Sequence, residues 1–331
     1  MRHIKIKNVK VVALHLINLS FFPFQNIFRK RYTFVYILSV DFFIRLLYTI
    51  KMTFTIPPVT NHRQREKGVL VYPVYSRRSG GLSVGINLFP DTKSCPFDCP
   101  YCEVFPFASD AAFFPEQMEL DLRAAVAAAL ERNVAVRDIC FSGNGEPSLS
   151  PAFGAALERA GRVRAELAPS AELVLITNGA GLLQPRVFSL LAEVASGPLA
   201  LNIWLKLDAG TSGWYQQINR TAIPFEKIVK KIKEFSACAP VTIQTMLCAV
   251  DGSAPPPDEE KAWETLALEL GVIAMNGKGG IRKVQIYGKA RPSPDDPKTA
   301  PLPVDYLEAR AASLRRAFTE KGIATPVEVY P

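Results

Sequence analysis

Strand-like and helix-like segments alternate along most of this chain, which predicts an α/β protein built on parallel strands. Three observations carry that prediction. From residue 82 onward, short runs rich in Val, Ile and Leu recur at roughly 30–40 residues, the length of a strand–helix–strand crossover. Ala-rich stretches between them favour helix. Ala/Pro-rich stretches at 253–257 and 290–303 fall between these units and read as loops, not domain linkers.

Taken in order, residues 53–67 are polar and Pro-punctuated, a loop or arm. Residues 68–75 (GVLVYPVY) and 82–89 (LSVGINLF) read as strands around Ser76-Arg77-Arg78-Ser79-Gly80-Gly81. The stretch 116–131 reads as a helix, with Leu120, Leu122, Val126 and Leu130 among alanines. Strands follow at 136–142, 172–177 (ELVLIT), 199–207, 241–247 and 283–287 (KVQIY), so six precede the last helix counting from residue 82. Helices fall between and after them at 151–167, 184–195, 225–235, 258–270 and 304–321, and 326–330 reads as a short final strand. Right-handed crossovers then give a parallel sheet, either open and doubly wound or closed toward a barrel.

At 331 residues the chain can bury a large core. Its six cysteines are sparse and bunched, which suits a reducing cytosol better than a disulfide scaffold. The net charge of +8 invites a nucleic-acid partner, but its placement does not. Nine Lys/Arg and one acid lie in residues 1–51, leaving thirty basic and thirty acidic residues in 52–331. RNA is therefore permitted but not implied. His3, His15 and His62 are the only histidines, so most hydrolase readings fall away for everything after them.

Residues 1–51 form a hydrophobic, basic leader unlike the rest, with ten of the 33 aromatic residues. Its most apolar run, 34–50, is short for a membrane span and interrupted by Asp41 and Arg45. No small-residue cleavage site follows a clean apolar core, so a signal peptide fits poorly. Three readings stand: sequence upstream of a start at Met52, a membrane-associating helix, or an ordered extension. The expected domain is 52–331, and the expected location is the cytoplasm, with membrane association only through the leader.

The chemistry centres on Cys95-Pro96-Phe97-Asp98-Cys99-Pro100-Tyr101-Cys102, a C-x3-C-x2-C pattern. Three thiolates on one short loop can hold three irons of a [4Fe–4S] cube and leave the fourth open to another ligand. Two rivals exist. Cys99-Pro100-Tyr101-Cys102 alone is a dithiol oxidoreductase motif, but that leaves Cys95 idle. Zinc wants four ligands, and histidine is nearly absent. Cys140, Cys238 and Cys248 are scattered among apolar residues and are expected to be buried, inert thiols.

Further candidates sit where the strands end, the usual place for chemistry in parallel α/β folds. Gly143-Asn144-Gly145-Glu146-Pro147 follows the strand at 136–142. Its small residues allow close backbone approach, and Glu146 offers an acceptor for an ammonium. Asn178 ends the strand at 172–177, and Lys206 and Asp208 end the next. This Lys and Asp either pair with each other or serve a ligand. Gln244, at the fifth strand, is either a ligand-binding or a satisfied buried amide.

The cysteine spacing, the aromatic Tyr101 before the last cysteine and the Gly-Glu-Pro segment resemble the radical S-adenosylmethionine (radical SAM) superfamily. Val74-Tyr75-Ser76-Arg77-Arg78, Gly81-Leu82-Ser83-Val84-Gly85-Ile86-Asn87, Lys206–Ala209, Ile218-Asn219-Arg220 and Gln244-Thr245-Met246 are similar to one of its groups, the Fe–S oxidoreductases related to the tRNA wyosine-base synthases. The resemblance spans 68–331. It implies a partial TIM-type (β/α)6 barrel and a [4Fe–4S] cluster on Cys95, Cys99 and Cys102 whose open iron chelates SAM. It also implies reductive SAM cleavage to a 5′-deoxyadenosyl radical acting on an unidentified substrate. The Gly143–Pro147 segment would hold the SAM amino group, with Asn144 displacing the first glycine of the family motif. Asn178, Lys206, Asp208 and Gln244 would meet the carboxylate and nucleoside, and Arg77 and Arg78 the SAM carboxylate or an acidic substrate. A flavodoxin- or ferredoxin-like donor is the implied partner. A tRNA-modifying wyosine-type synthase, an iron–sulfur electron carrier and a dithiol oxidoreductase are the alternatives.

Overall fold

The computed structural model describes residues 68–276, 279–296 and 298–331. The leader and the arm at 53–67 lie outside the described residues. The chain opens with a hairpin of β1 (Val71–Ser76) and β2 (Gly81–Ile86). Parallel strands follow: β3 (Val136–Phe141), β4 (Glu172–Thr177), β5 (Asn202–Lys206), β6 (Pro240–Val250) and β7 (Gly280–Gly288). A three-residue strand, β8 (Thr299–Pro301), pairs antiparallel with the overhanging end of β6. Strand β9 (Val327–Tyr330) lies parallel to β7.

Apart from β8, the strands lie side by side in chain order, with no point at which the order reverses. A doubly wound sheet needs such a reversal. The sheet is therefore a partial (β/α)6 barrel, β2 to β7, with β1 and β9 added at its edges. Strand β1 departs from the parallel pattern because a four-residue turn, 77–80, is long enough only for a hairpin.

Helices α1 (Pro115–Glu131), α2 (Phe153–Leu167), α3 (Pro185–Ser196), α4 (Ser212–Ile218), α5 (Phe225–Cys238), α6 (Pro257–Asn276) and α7 (Val304–Glu320) make the crossovers. Proline opens α1 and α3, where its missing N–H costs nothing. Helix α4 was not expected from the sequence, because Ser212 and Gly213 disfavour helix. It exists because the Thr211 hydroxyl caps it at Trp214 N–H, 3.2 Å away, and Trp214 and Tyr215 bury themselves. Strand β8 was also unexpected, since Pro301 and its length argue against a strand; tertiary pairing with β6 alone creates it.

Alternation along each strand divides the molecule into two interiors. Ile139 and Phe141 of β3, Leu173 and Leu175 of β4, and Ile203 and Leu205 of β5 face the helices and are wholly buried. Phe141 meets Phe153 edge-on at 5.4 Å, and Phe188 meets Phe235 at 5.1 Å. Each such buried side chain contributes roughly 1.5–3 kcal/mol. The other face is the barrel lumen. Cys140, Val174 and Trp204 form a small apolar cluster there, with Ile176 against them. Asn202, Thr242, Gln244 and Gln285 are buried among polar groups on the same face. No helix among the described residues is long and apolar enough to cross a membrane.

Candidate active site

The loop that follows β2 carries Cys95, Cys99 and Cys102, and it is tied down at both ends. Ser94 N–H donates to Asn144 O at 2.8 Å, and Glu146 N–H donates back to Ser94 O at 2.9 Å. Gly145 makes this pairing with the β3 exit loop feasible, because a Cβ there would lie 1.9 Å from Ser94 O. Farther along, Asp98 N–H donates to Asn219 O at 3.1 Å. Phe97 and Tyr101 are buried, and Phe97 stands edge-on to Tyr215 at 5.9 Å.

Two side-chain amides aim N–H groups at sulfur. Asn178 Nδ2 is 3.4 Å from Cys95 Sγ, and Asn219 Nδ2 is 3.5 Å from Cys99 Sγ. Phe97 N–H adds a third donor, 3.4 Å from Cys95 Sγ. Burial nonetheless pushes the Cys95 thiol up to about 12 and the Cys99 thiol up to about 11. A dithiol oxidoreductase needs a lowered thiol pKa, so the Cys99–Cys102 pair is poorly built for that chemistry. Thiols that are costly to ionise alone, yet supplied with N–H donors, are suited to a metal centre that itself stabilises the thiolates.

All three cysteines line one cavity of about 290 Å³ at the carboxyl ends of the strands. Gly143, Gly145, Glu146, Asn178, Lys206, Arg77 and Arg78 line it too. Three other sequence candidates do not reach its wall. Pro147 starts a short 3-10 turn and is buried. Gln244 lies a layer below, wholly buried, donating to Gln285 Oε1 at 2.7 Å. Asp208 is held behind the cysteine loop: it accepts from Tyr101 O–H at 2.5 Å, Asn219 Nδ2 at 3.1 Å and Met246 N–H at 2.9 Å. Its side chain is wholly buried and pairs with Lys206 at 3.2 Å. Of the two open readings of Lys206 and Asp208, mutual pairing is the one present. Burial alone would lower the Lys206 ammonium, but Asp208 and then Tyr287 hold it above its ordinary value.

Glu146 is also held by its neighbours. Its carboxylate accepts from Ser148 N–H at 3.2 Å, Ser148 O–H at 2.6 Å, Thr177 O–H at 2.6 Å and Asn178 N–H at 2.8 Å. Three of these donors converge on Oε1 and one on Oε2, so Glu146 staples the β3 exit to the β4 exit and keeps one acceptor site on Oε2. Burial still raises its pKa.

Several residues escaped the sequence reading. Asn219, quoted above only as part of a resembling motif with no role, reaches the cysteine loop from the end of α4. Trp204, Tyr72 and Ser142 line the cavity, as does Cys140. Their signal was the strand alternation itself, which places positions 140, 142, 204 and 206 on one face. Cys140 packs with Val174 and Trp204, and the groups acting on its charge are Asp138, Ser142 and Arg78, none of them a loop cysteine. Cys248 is buried in the main core and does not line the cavity. Cys238 is exposed, at the end of α5, against the expectation that all three spare thiols are buried.

Among the described residues, no three His, Cys, Asp or Glu side chains converge on a point suitable for a single metal ion. An iron–sulfur cube places no such demand, since each cysteine binds a different iron. Three loop thiols, with sulfur-directed N–H donors and no fourth thiol among them, fit a cube with an open corner.

The family model described as "Radical SAM superfamily" matches residues 89–281, more than half of the chain. A search of curated proteins by sequence finds no match. Among solved structures the chain is similar to Streptococcus suis SuiB bound to S-adenosylmethionine (TM-score 0.52, 13% identity, 72% of this chain and 49% of that one). A second SuiB structure gives a TM-score of 0.49 at 12% identity, over 98% of this chain and 60% of that one. Archaeal TYW1 gives 0.44 at 12% identity, over 71% and 72%. The chain thus spans about half the length of the SAM-bound SuiB chain. That likeness shows the fold. The family match carries the chemistry: this protein belongs to the radical SAM superfamily, enzymes that use a [4Fe–4S] cluster and S-adenosylmethionine.

Proposed function

We propose that Cys95, Cys99 and Cys102 hold three irons of the cluster, and that SAM occupies the cavity above them. The observation that carries this reading is the shared cavity: the three loop thiols, Gly143, Gly145 and Asn178 face one space, where the other lining thiol, Cys140, packs with Val174 and Trp204. When bound, the cluster supplies the electron that cleaves the sulfonium C–S bond, giving methionine and a 5′-deoxyadenosyl radical.

The chain's own residues position and exclude. Gly143 and Gly145 leave room at the wall for the SAM amino end, with Glu146 behind them fixing the loop. Asn178 and Asn219 orient two cysteine sulfurs. Tyr101, anchored on Asp208 and covered by the Lys206 ammonium at 4.8 Å, holds the last cysteine in place. The β1–β2 turn brings Arg78 over the rings of Trp204 and Tyr287, at 5.6 and 4.6 Å, and so limits solvent in the lumen. A flavodoxin- or ferredoxin-like protein would supply the electron, and the reducing cytoplasm is the compartment this chemistry suits.

The test is anaerobic iron–sulfur reconstitution of the full chain, with iron counting, electron paramagnetic resonance and 5′-deoxyadenosine measurement. Wild type is expected to hold four irons, change its spectrum on adding SAM and release 5′-deoxyadenosine. Cys95→Ala, Cys99→Ala and Cys102→Ala should each abolish all three. A four-iron spectrum indifferent to SAM would overturn the catalytic reading.

A further inference from the structure

We propose that the substrate of this cavity is a small anionic molecule, a phosphate ester or a carboxylate, whose charged end docks on Arg77, Arg78 and Arg291. This rests on the reading above and goes beyond it by naming the substrate class.

The cavity wall carries four cations, Arg77, Arg78, Lys206 and Arg291, against two carboxylates, Glu103 and Glu146. Lys206 is committed to Asp208, Arg291 pairs with Glu103 at 2.8 Å, and Glu146 accepts four neutral donors, three of them on Oε1. Arg77 and Arg78 make no ion pair among the described residues. Asp138 lies within electrostatic reach of Arg78, but its carboxylate is engaged by Ser83 and burial raises its pKa. Three guanidiniums share one carboxylate here and repel: burial lowers the Arg77 pKa, Arg291 and Arg78 lower it further, and Glu103 only partly offsets them. An anion between them relieves that repulsion with charge-assisted, bidentate hydrogen bonds.

A second observation points the same way. Trp204 lines the cavity under Arg78 and is 4% exposed, yet its indole N–H has no partner among the described residues. A buried donor left unmade is costly, so the site calls for a ligand acceptor. Trp N–H and guanidinium groups donate only. The floor of the cavity is therefore rich in donors and poor in acceptors, the complement of a phosphate or carboxylate.

The single carboxylate of SAM needs one guanidinium fork; Arg77 and Arg78 offer two, and Arg291 adds a third that it shares with Glu103.

The experiment is equilibrium binding of phenyl phosphate and of benzoate to the cluster-loaded protein, with and without saturating SAM, with benzyl alcohol as the uncharged control. SAM affinity is measured alongside. Wild type should bind an anion with SAM in place and ignore benzyl alcohol. Arg77→Gln, on the exposed turn, should weaken the anion at least tenfold and leave SAM affinity within twofold. Arg77→Lys should fall between, keeping charge but losing the fork. Tighter binding of phenyl phosphate assigns a phosphate ester, and tighter benzoate a carboxylate. Anion binding abolished by SAM, or a tenfold loss of SAM affinity in Arg77→Gln, would assign the arginines to SAM and overturn the proposal. Wild type that binds SAM but neither anion sinks this inference alone. Wild type that binds an anion but not SAM keeps the anion site and sinks the proposed function.

Discussion

Gly145→Ala is the sharpest test of how the cysteine loop is held. The new Cβ would lie 1.9 Å from Ser94 O, 2.7 Å from the Phe89 ring and 2.7 Å from Ser94 C, where real Cβ contacts essentially never fall below 3.0 Å. Two of those three atoms are backbone and cannot swing away, so Ser94 must retreat by about 1 Å. That retreat stretches both hydrogen bonds at Ser94, to Asn144 and from Glu146. Overpacking costs about 1–3 kcal/mol and each lost bond about 1 kcal/mol, so the variant should lose about 2–5 kcal/mol. Urea unfolding of the unloaded protein measures this, and iron content after anaerobic reconstitution should fall below half of wild type. Gly154→Ala is the control: nothing lies within 4 Å of its Cβ, it sits at the start of α2, and it should be neutral or slightly stabilising. A Gly145→Ala protein within 1 kcal/mol of wild type (about the worth of one hydrogen bond), with full iron, would refute the argument.

Three other outcomes follow from the same geometry. Asn219→Ala removes an N–H donor from Cys99 Sγ, which should lower the cluster's midpoint potential by on the order of tens of millivolts in a redox titration; an unchanged potential would show that the amide does not act on the sulfur. Lys206→Met strips the wholly buried Asp208 side chain of its cation and should cost about 3 kcal/mol in denaturant unfolding, whereas a neutral result would mean Tyr101 and Asn219 suffice. At the α1–α2 surface, burial raises the Glu119 carboxyl, but Arg159 and Arg123 outweigh it and hold it below the usual range. A depressed carboxylate contributes stability above its unfolded pKa and loses it as pH falls through the folded one. Glu119→Gln should therefore cost about 1 kcal/mol at pH 7 and show a shallower stability loss on acidification through the carboxylate range; equal slopes would remove the ion pair from the account.

Much of the fold was legible because periodicity is a local property. The strand at 172–177 and the helix at 304–321 fall within a residue of β4 and α7, since an apolar run or an amphipathic stretch carries its own signature. What the pattern left open was how the sheet closes. Barrel and doubly wound sheets share the same alternation, and only the unreversed strand order separates them. Helix α4 and strand β8 were invisible because each is too short to hold itself and exists through contacts made elsewhere.

The candidate site divides the same way. The sequence by itself determined the three-cysteine loop, because C-x3-C-x2-C brings its thiols together within eight residues whatever the rest of the chain does. It could not place residues whose role depends on facing across the lumen. Asp208, just past the strand end at Lys206, and Gln244, within β6, turn out to lie behind or beneath the cavity wall, while Trp204 and Asn219 reach the site from afar. Asn219 meets Cys99 across 120 positions of chain. Only the tertiary structure decides such pairings, because curling the sheet converts strand alternation into an inside and an outside, and no local sequence signal records which distant side chains share that inside.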